Sequence, residues 1–178
     1  GKVRVAGTIA GNIGSVSIDR ADDIEVGGEL VADTIAITNF AGSSLTFRGN
    51  VRGNDGVNGG IADFSITAAS DAYDLSFTGG TNKFGQSGFT FTNTGSLVLG
   101  DSVTDSFTFG GGLTATAADR LALAATITAA GPVQLGSSTT PVELAGSTVI
   151  DTEAANGAIT FANGVDLAAV YIDRGVSG

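Results

Sequence analysis

The chain has 178 residues, enough for one domain with a sizeable core. Glycine supplies 28 residues and proline 2, cysteine, methionine, tryptophan and histidine are absent, and 42% of the residues are hydrophobic, which excludes intrinsic disorder. The net charge of −10 makes nucleic acid a poor partner, because a polyanion would be repelled. No run approaches the roughly 18 apolar residues of a membrane helix, so no membrane insertion is expected.

Apolar and polar residues alternate with a period of two along the sequence, which predicts short, half-buried strands. The Ala-rich segment 115–130 is the one candidate for a helix, but the alternation of Leu121 and Leu123 argues against it. Long connections are expected only at 48–62 and 78–88. The predicted strands are, in chain order, 3–5, 15–18, 23–26, 34–37, 44–47, 63–66, 74–77, 89–91, 97–99, 106–109, 113–115, 121–123, 132–135, 141–144, 158–161 and 170–172.

A seven-residue motif recurs, in which a short apolar-x-apolar strand is followed by Gly or Asn and then by another aliphatic residue. Copies stand at 3–9, 24–30, 45–51 and, with one substitution, 159–165. A strand, a bend and a second short strand form one corner of a β-helix coil, and such self-similarity is typical of repeat architectures. A two-sheet β-sandwich is the alternative, but the sequence lacks the anchoring Cys, Trp or Tyr pattern of an immunoglobulin-like core.

The sequence therefore predicts an all-β protein, a right-handed parallel β-helix (β-solenoid). It would form a single domain over residues 1–178, a segment of a longer rod or a stacking subunit. At about 20 residues per rung, the protein would make roughly eight or nine rungs.

Three segments carry a resemblance to a known family. Residues 157–166 read Gly-Ala-Ile-Thr-Phe-Ala-Asn-Gly-Val-Asp, and 44–53 and 131–136 have the same texture. Over nearly its whole length, the chain resembles the repeat region of filamentous-haemagglutinin-like adhesins, which bacteria export by two-partner secretion, and related autotransporter passenger β-helices. The resemblance carries no catalytic or binding motif. It implies a β-helix and a location outside the cell or on the bacterial surface.

Residues for catalysis are few. Without His and Cys, the usual general base, thiol nucleophile and imidazole metal ligand are missing. Carboxylate pairs could serve a glycosidase, but each lies beside a turn, where Asp ordinarily caps backbone. We therefore assign no catalytic, cofactor-binding or metal residue and expect no enzyme. The pairs considered are Asp22/Asp23, Asp71/Asp74, Asp101/Asp105 and Asp151/Glu153.

Two weaker signals point to binding, and a third is excluded by its motif. The Gly/Asn/Asp-rich loop 53–63 resembles one copy of a calcium-binding nonapeptide, although Ca²⁺ needs six to eight oxygens that a single copy rarely supplies. Thr-x-Thr pairs at 90/92, 114/116 and 126/128 resemble ice-binding faces, but Thr also suits outward strand positions. The Gly run 110–112 lacks the Lys-Ser/Thr of a phosphate-binding loop.

The expected function is that of an extracellular structural or adhesive rod of a secreted or surface-anchored bacterial protein. Its partners would be neighbouring rungs of the same parent protein or copies of itself, and a host-cell or polysaccharide surface. One alternative is a self-assembling filament or sheath subunit that stacks head-to-tail through open coil ends. A weaker alternative is a module that binds polysaccharide, ice or calcium.

Overall fold

A computed structural model of the protein describes residues 1–11, 13–53, 60–61, 63–68, 70–85, 88–152 and 156–167. Within these ranges the protein is all-β, and its 21 strands pair only in parallel. They form a parallel β-solenoid of about seven turns, which confirms the predicted fold class and excludes the sandwich. The predicted strand 170–172 lies outside the described residues; the handedness of the coil stays a prediction.

Successive turns contribute strands to three faces in a fixed order, which we name A, B and C; the first turn reaches face B only through the isolated bridge of Ile9 to Leu30. Face A is one sheet of eight strands, and face B is one sheet of six. The strands of face A are β1 (Val3–Val5), β3 (Asp23–Val26), β6 (Ser44–Phe47), β9 (Asp74–Phe77), β12 (Ser96–Leu99), β15 (Arg120–Leu123), β18 (Val142–Leu144) and β21 (Val165–Leu167). Those of face B are β4 (Leu30–Val31), β7 (Val51–Arg52), β10 (Thr81–Phe84), β13 (Ser106–Phe109), β16 (Thr126–Ala129) and β19 (Val149–Asp151).

Face C consists of two separate sheets at the same place in each turn. The first three turns contribute β2 (Ser15–Asp19), β5 (Thr34–Phe40) and β8 (Asp63–Ala68). The next four contribute β11 (Gly88–Thr90), β14 (Gly112–Ala115), β17 (Val133–Leu135) and β20 (Ile159–Phe161). Strands β8 and β11 belong to consecutive turns but to different sheets, so face C is interrupted between the third and fourth turns.

The turns are longer and less regular than predicted. In face A, Val3 pairs with Ile24 one turn later, whereas Leu45 pairs with Leu75, so the turn that starts at Leu45 is longer by nearly half. The predicted length of a rung was therefore too short, and the predicted number of roughly eight or nine rungs compares with about seven turns in the described residues. Within the described residues, the coil completes seven turns and begins an eighth with β21.

The core is built by stacking equivalent inward residues of successive turns. Alternate strand positions point inward, so each inward side chain packs on the one a turn away. Phe47 and Phe77 stack with ring centroids 4.9 Å apart, and Phe84 and Phe109 stack at 5.2 Å. One inward row of face A consists of Val3, Ile24, Leu45, Leu75, Leu97, Leu121, Val142 and Val165.

Glycines form the corner between faces A and B because the backbones approach too closely for a side chain. A Cβ on Gly49 would lie 2.1 Å from the carbonyl oxygen of Gly28, and one on Gly79 would lie 2.0 Å from that of Gly49. A Cβ on Gly28 would likewise lie 2.4 Å from the carbonyl oxygen of Gly7. We name this set, Gly7, Gly28, Gly49 and Gly79, the corner glycines. The first three are the glycines of the repeated motif, which predicted this corner correctly.

Two other sequence predictions are corrected. The fourth copy of the motif, 159–165, spans β20 and β21 and therefore turns from face C to face A, at a different corner. The supposed long connection 78–88 contains β10, and the connection 48–62 contains β7. Residues 115–130 form strands, as the alternation of Leu121 and Leu123 indicated.

Candidate functional site

Two of the candidate carboxylates bind the backbone of the next turn. The Asp74 carboxylate accepts a 2.8 Å hydrogen bond from the Ser96 amide. The Asp23 carboxylate accepts bonds from the amides of Ser43 and Ser44, at 3.3 and 3.2 Å. Partial burial would raise the pKa of Asp23, but these hydrogen bonds favour the charged form and the net pKa is lowered. Both carboxylates therefore tie one turn to the next.

Among the remaining acidic candidates, Asp105 makes local contacts and Asp22 contacts the preceding turn. The Asp105 carboxylate is buried and accepts hydrogen bonds from the amides of Asp101 and Ser102, which closes the loop between β12 and β13. Asp22 lies 2.8 Å from the amino group of Gly1. Glu153 lies outside the described residues, so its pairing with Asp151 is untested. Asp105 thus performs the local backbone capping that turn chemistry predicts, whereas Asp23 binds the backbone of the next turn.

A charged cluster occupies the outer side of face A in the first three turns. The Glu25 carboxylate lies 3.2 Å from Arg48, 3.6 Å from Arg4 and 3.7 Å from Lys2. The hydrogen bond from Arg48, reinforced by the charges of Arg4 and Lys2, lowers the pKa of Glu25. The cluster bridges three turns, because Arg4, Glu25 and Arg48 belong to the first, second and third. All three cations are exposed, so each pair adds little stability.

A small pocket opens where face C is interrupted. It lies between β8 and β11 and is lined by Phe64, Ile66, Tyr73, Phe89 and Phe91, with threonines at its rim. Burial raises the pKa of the Tyr73 hydroxyl, and the charge of Asp71 adds to the effect while a hydrogen bond with Thr92 opposes it. The aromatic side chains that line the pocket, Phe64, Tyr73, Phe89 and Phe91, are themselves buried.

The structure partly revises the prediction for the Thr-x-Thr pairs. Thr90 and Thr114 are register partners in face C, so these two residues lie one above the other, whereas Thr92 and Thr116 follow the ends of β11 and β14. The pair 126/128 lies on face B, beside Ser106 and Thr108 of β13. In face C the row continues with Gln134 and Thr160. Hydroxyl groups therefore form short rows on two faces, without a repeat on every turn.

Most of the glycine-rich loop 53–63 lies outside the described residues, so the calcium prediction is untested there. Among the residues that the structure does describe, no three acidic side chains come together as a metal-binding group. The described part also contains no helix long and apolar enough to cross a bilayer.

Sequence reasoning missed the Glu25 cluster and the pocket beside Tyr73. Both depend on which residues of different turns are neighbours. Glu25 meets Arg48 across 23 positions in sequence, and only the register of β3 with β6 shows it. One signal for the Glu25 cluster was available in the sequence. Arg4 and Glu25 occupy the same outward position in two copies of the motif and carry opposite charges.

Comparisons with known proteins identify no relative: no family model, no curated protein and no solved structure matches the sequence. The resemblance to secreted bacterial adhesins thus stays one of repeat texture.

Proposed function

We propose that this protein is a structural or adhesive rod segment of a secreted or surface-anchored bacterial protein, and that it has no catalytic role. The observation that carries the proposal is the continuity of face A. Its eight parallel strands connect every turn from β1 to β21 in one hydrogen-bonded sheet. A stack of this kind transmits load along its axis and presents a repetitive outer surface.

The details of the side chains support a scaffold. Most inward positions are filled by packed apolar residues, and candidate acids such as Asp23, Asp74 and Asp105 are bound to backbone amides. Carboxylates used in this way hold the coil together. The texture shared with secreted adhesins supports a location on the cell surface, where such rods project binding regions.

Adhesion can be tested with beads that carry the purified protein, presented to epithelial cells and to immobilised bacterial or host polysaccharides. The matched control is Gly49→Ala, which places a methyl group 2.1 Å from the Gly28 carbonyl oxygen and should disrupt the stack. We expect the native protein to adhere and the variant to lose adhesion. Equal adhesion by both, or by neither, would contradict an adhesive role of the folded coil.

A head-to-tail filament is the second candidate, and the first turn favours it. Its inward residues, including Val3, Val5 and Ile9, are partly exposed, so another turn could cover them. Continuing the register of face A would place Val3 on Val165 and Arg4 on Asp166, which joins opposite charges. Residues 121–173 contain acidic residues and no Lys or Arg, whereas residues 1–20 contain three cations and one acid.

Negative-stain electron microscopy across a concentration series separates the two candidates. Filaments that disappear in Arg4→Asp, and return when Asp166→Arg is added, would establish stacking in this register. Arg120→Glu, on face A but paired with Glu143 in the same molecule, is the charge control. Single particles about 34 Å long, which is seven turns at about 4.8 Å each, would contradict the filament and agree with the rod segment.

A further inference from the structure

We infer that Asn163-Gly164 is a site of spontaneous covalent modification, at which the asparagine converts to aspartate and isoaspartate. The inference is independent of the proposed function. The dipeptide occupies the corner between β20 and β21, and both residues are exposed. A glycine after asparagine removes the side chain that would otherwise obstruct attack by the following backbone nitrogen.

The local geometry brings the two reacting groups together. The Gly164 amide donates a hydrogen bond to Asn163 Oδ1 at 2.9 Å, so its nitrogen lies close to Asn163 Cγ. A Cβ built on Gly164 would meet no atom within 4 Å. The corner therefore leaves room for the backbone to turn toward a five-membered ring.

The reaction requires only water. The Gly164 nitrogen loses its proton and attacks Asn163 Cγ; the new C–N bond forms as the bond from Cγ to Nδ2 breaks, and ammonia leaves with the proton. Water then opens the succinimide at either carbonyl, giving aspartate or isoaspartate. Both products add a negative charge next to β21, and isoaspartate also adds one carbon to the backbone before Val165.

A second Asn-Gly pair, Asn156-Gly157, provides an internal comparison. The Gly157 amide donates to the Thr152 carbonyl at 3.3 Å, and the Gly157 carbonyl accepts from Thr152 Oγ1 at 2.7 Å. Its Cα also packs closely on the previous turn, because a Cβ there would lie 2.4 Å from the Gly131 carbonyl oxygen. The carbonyls of both glycines are bound, since the Gly164 carbonyl accepts a hydrogen bond from the Val142 amide at 3.2 Å. The amides differ: that of Gly157 is bound to the Thr152 carbonyl, whereas that of Gly164 is bound to the Asn163 side chain that it would attack, so Asn156 should react more slowly.

The test is to incubate the whole protein at mildly alkaline pH, with and without concentrated urea. Peptide mass spectrometry then follows the amide-to-acid mass change at each asparagine, and isoaspartyl methyltransferase labelling detects the isomer. In native buffer we expect Asn163 to convert at least about fivefold faster than Asn156, the factor that one retained backbone hydrogen bond of ordinary strength gives. In urea the two rates should converge.

Two variants make the result specific. Gly164→Ala should slow conversion at Asn163 and leave the fold intact, since its Cβ enters open space. Thr152→Val removes one contact to Gly157 and should accelerate conversion at Asn156. The inference is overturned if Asn163 stays unconverted in native buffer while it converts in urea, or if Asn156 reacts as fast as Asn163 in the native protein. Asn58-Gly59, outside the described residues, is mapped separately.

Discussion

The first and second turns have the same sequence pattern and different environments. Val3 and Val5 pair in register with Ile24 and Val26, and each pair is followed by a corner glycine. Yet Ile24 and Val26 are 1% exposed, whereas Val3 and Val5 are partly exposed. The difference arises because the second turn is covered on both sides and the first on one. In this coil, burial is a property of neighbouring turns more than of the residue pattern within a turn.

The largest change in the free energy of unfolding should come from substitutions of the corner glycines, which test the difference between covered and uncovered turns directly. Gly49→Ala forces a methyl group against the Gly28 carbonyl in a turn covered on both sides, and should cost more than about 3 kcal/mol of unfolding free energy. Gly7→Ala, whose Cβ would meet nothing within 4 Å, should stay within about 0.5 kcal/mol of the native protein. Urea denaturation followed by circular dichroism measures both. Equal destabilisation would show that local turn propensity, and not stacking, governs these positions.

A smaller difference in stability is expected between alanine substitutions of the register partners Val5 and Val26. Val26→Ala opens a cavity in a closed layer and should cost about 2 kcal/mol, because the surroundings relax only in part. Val5→Ala removes the same atoms from a partly exposed position and should cost less than about 1 kcal/mol. The midpoint of urea unfolding reports the difference. If the two costs were the same, the first turn would be covered in solution, as a filament requires.

The smallest effect is expected in the dependence of the protein's stability on acidic pH. The pKa values of Asp23 and Glu25 are lowered in the folded state, so their ionised forms stabilise the protein above the unfolded values of about 3.9 and 4.3. This contribution is lost as the pH falls through the lowered pKa values. The melting temperature of Asp23→Asn/Glu25→Gln should therefore fall less between pH 7 and pH 3 than that of the native protein. The control is Asp119→Asn, which removes one charge at an exposed position. If the melting temperature of the double variant fell as much as that of the native protein, Asp23 and Glu25 would not be the source of the acid sensitivity.

The alternation of apolar residues predicted most strands of faces A and C, and the repeated motif predicted the parallel coil. It failed for β10 because the inward residue Asn82 is polar and buried, which interrupts the apolar pattern of Thr81-Asn82-Lys83-Phe84. It also could not give the register between turns. Since the turns differ in length, the partners of Glu25 and Asp23 follow from stacking that no local pattern encodes. The site residues were thus visible in the sequence, but their neighbours were not.

The unequal turns have a consequence for how the molecule would respond to pulling. Hydrogen bonds between turns lie along the coil axis, so a force applied to the two ends would detach one turn at a time. A short turn, such as the one from Val3 to Ile24, would release about 70 Å of extended backbone, and the turn from Leu45 to Leu75 about 100 Å. The interruption of face C lies beside that longer turn. A stretched molecule would therefore carry one distinctively long step in its extension record, a physical marker of where along the coil it had opened.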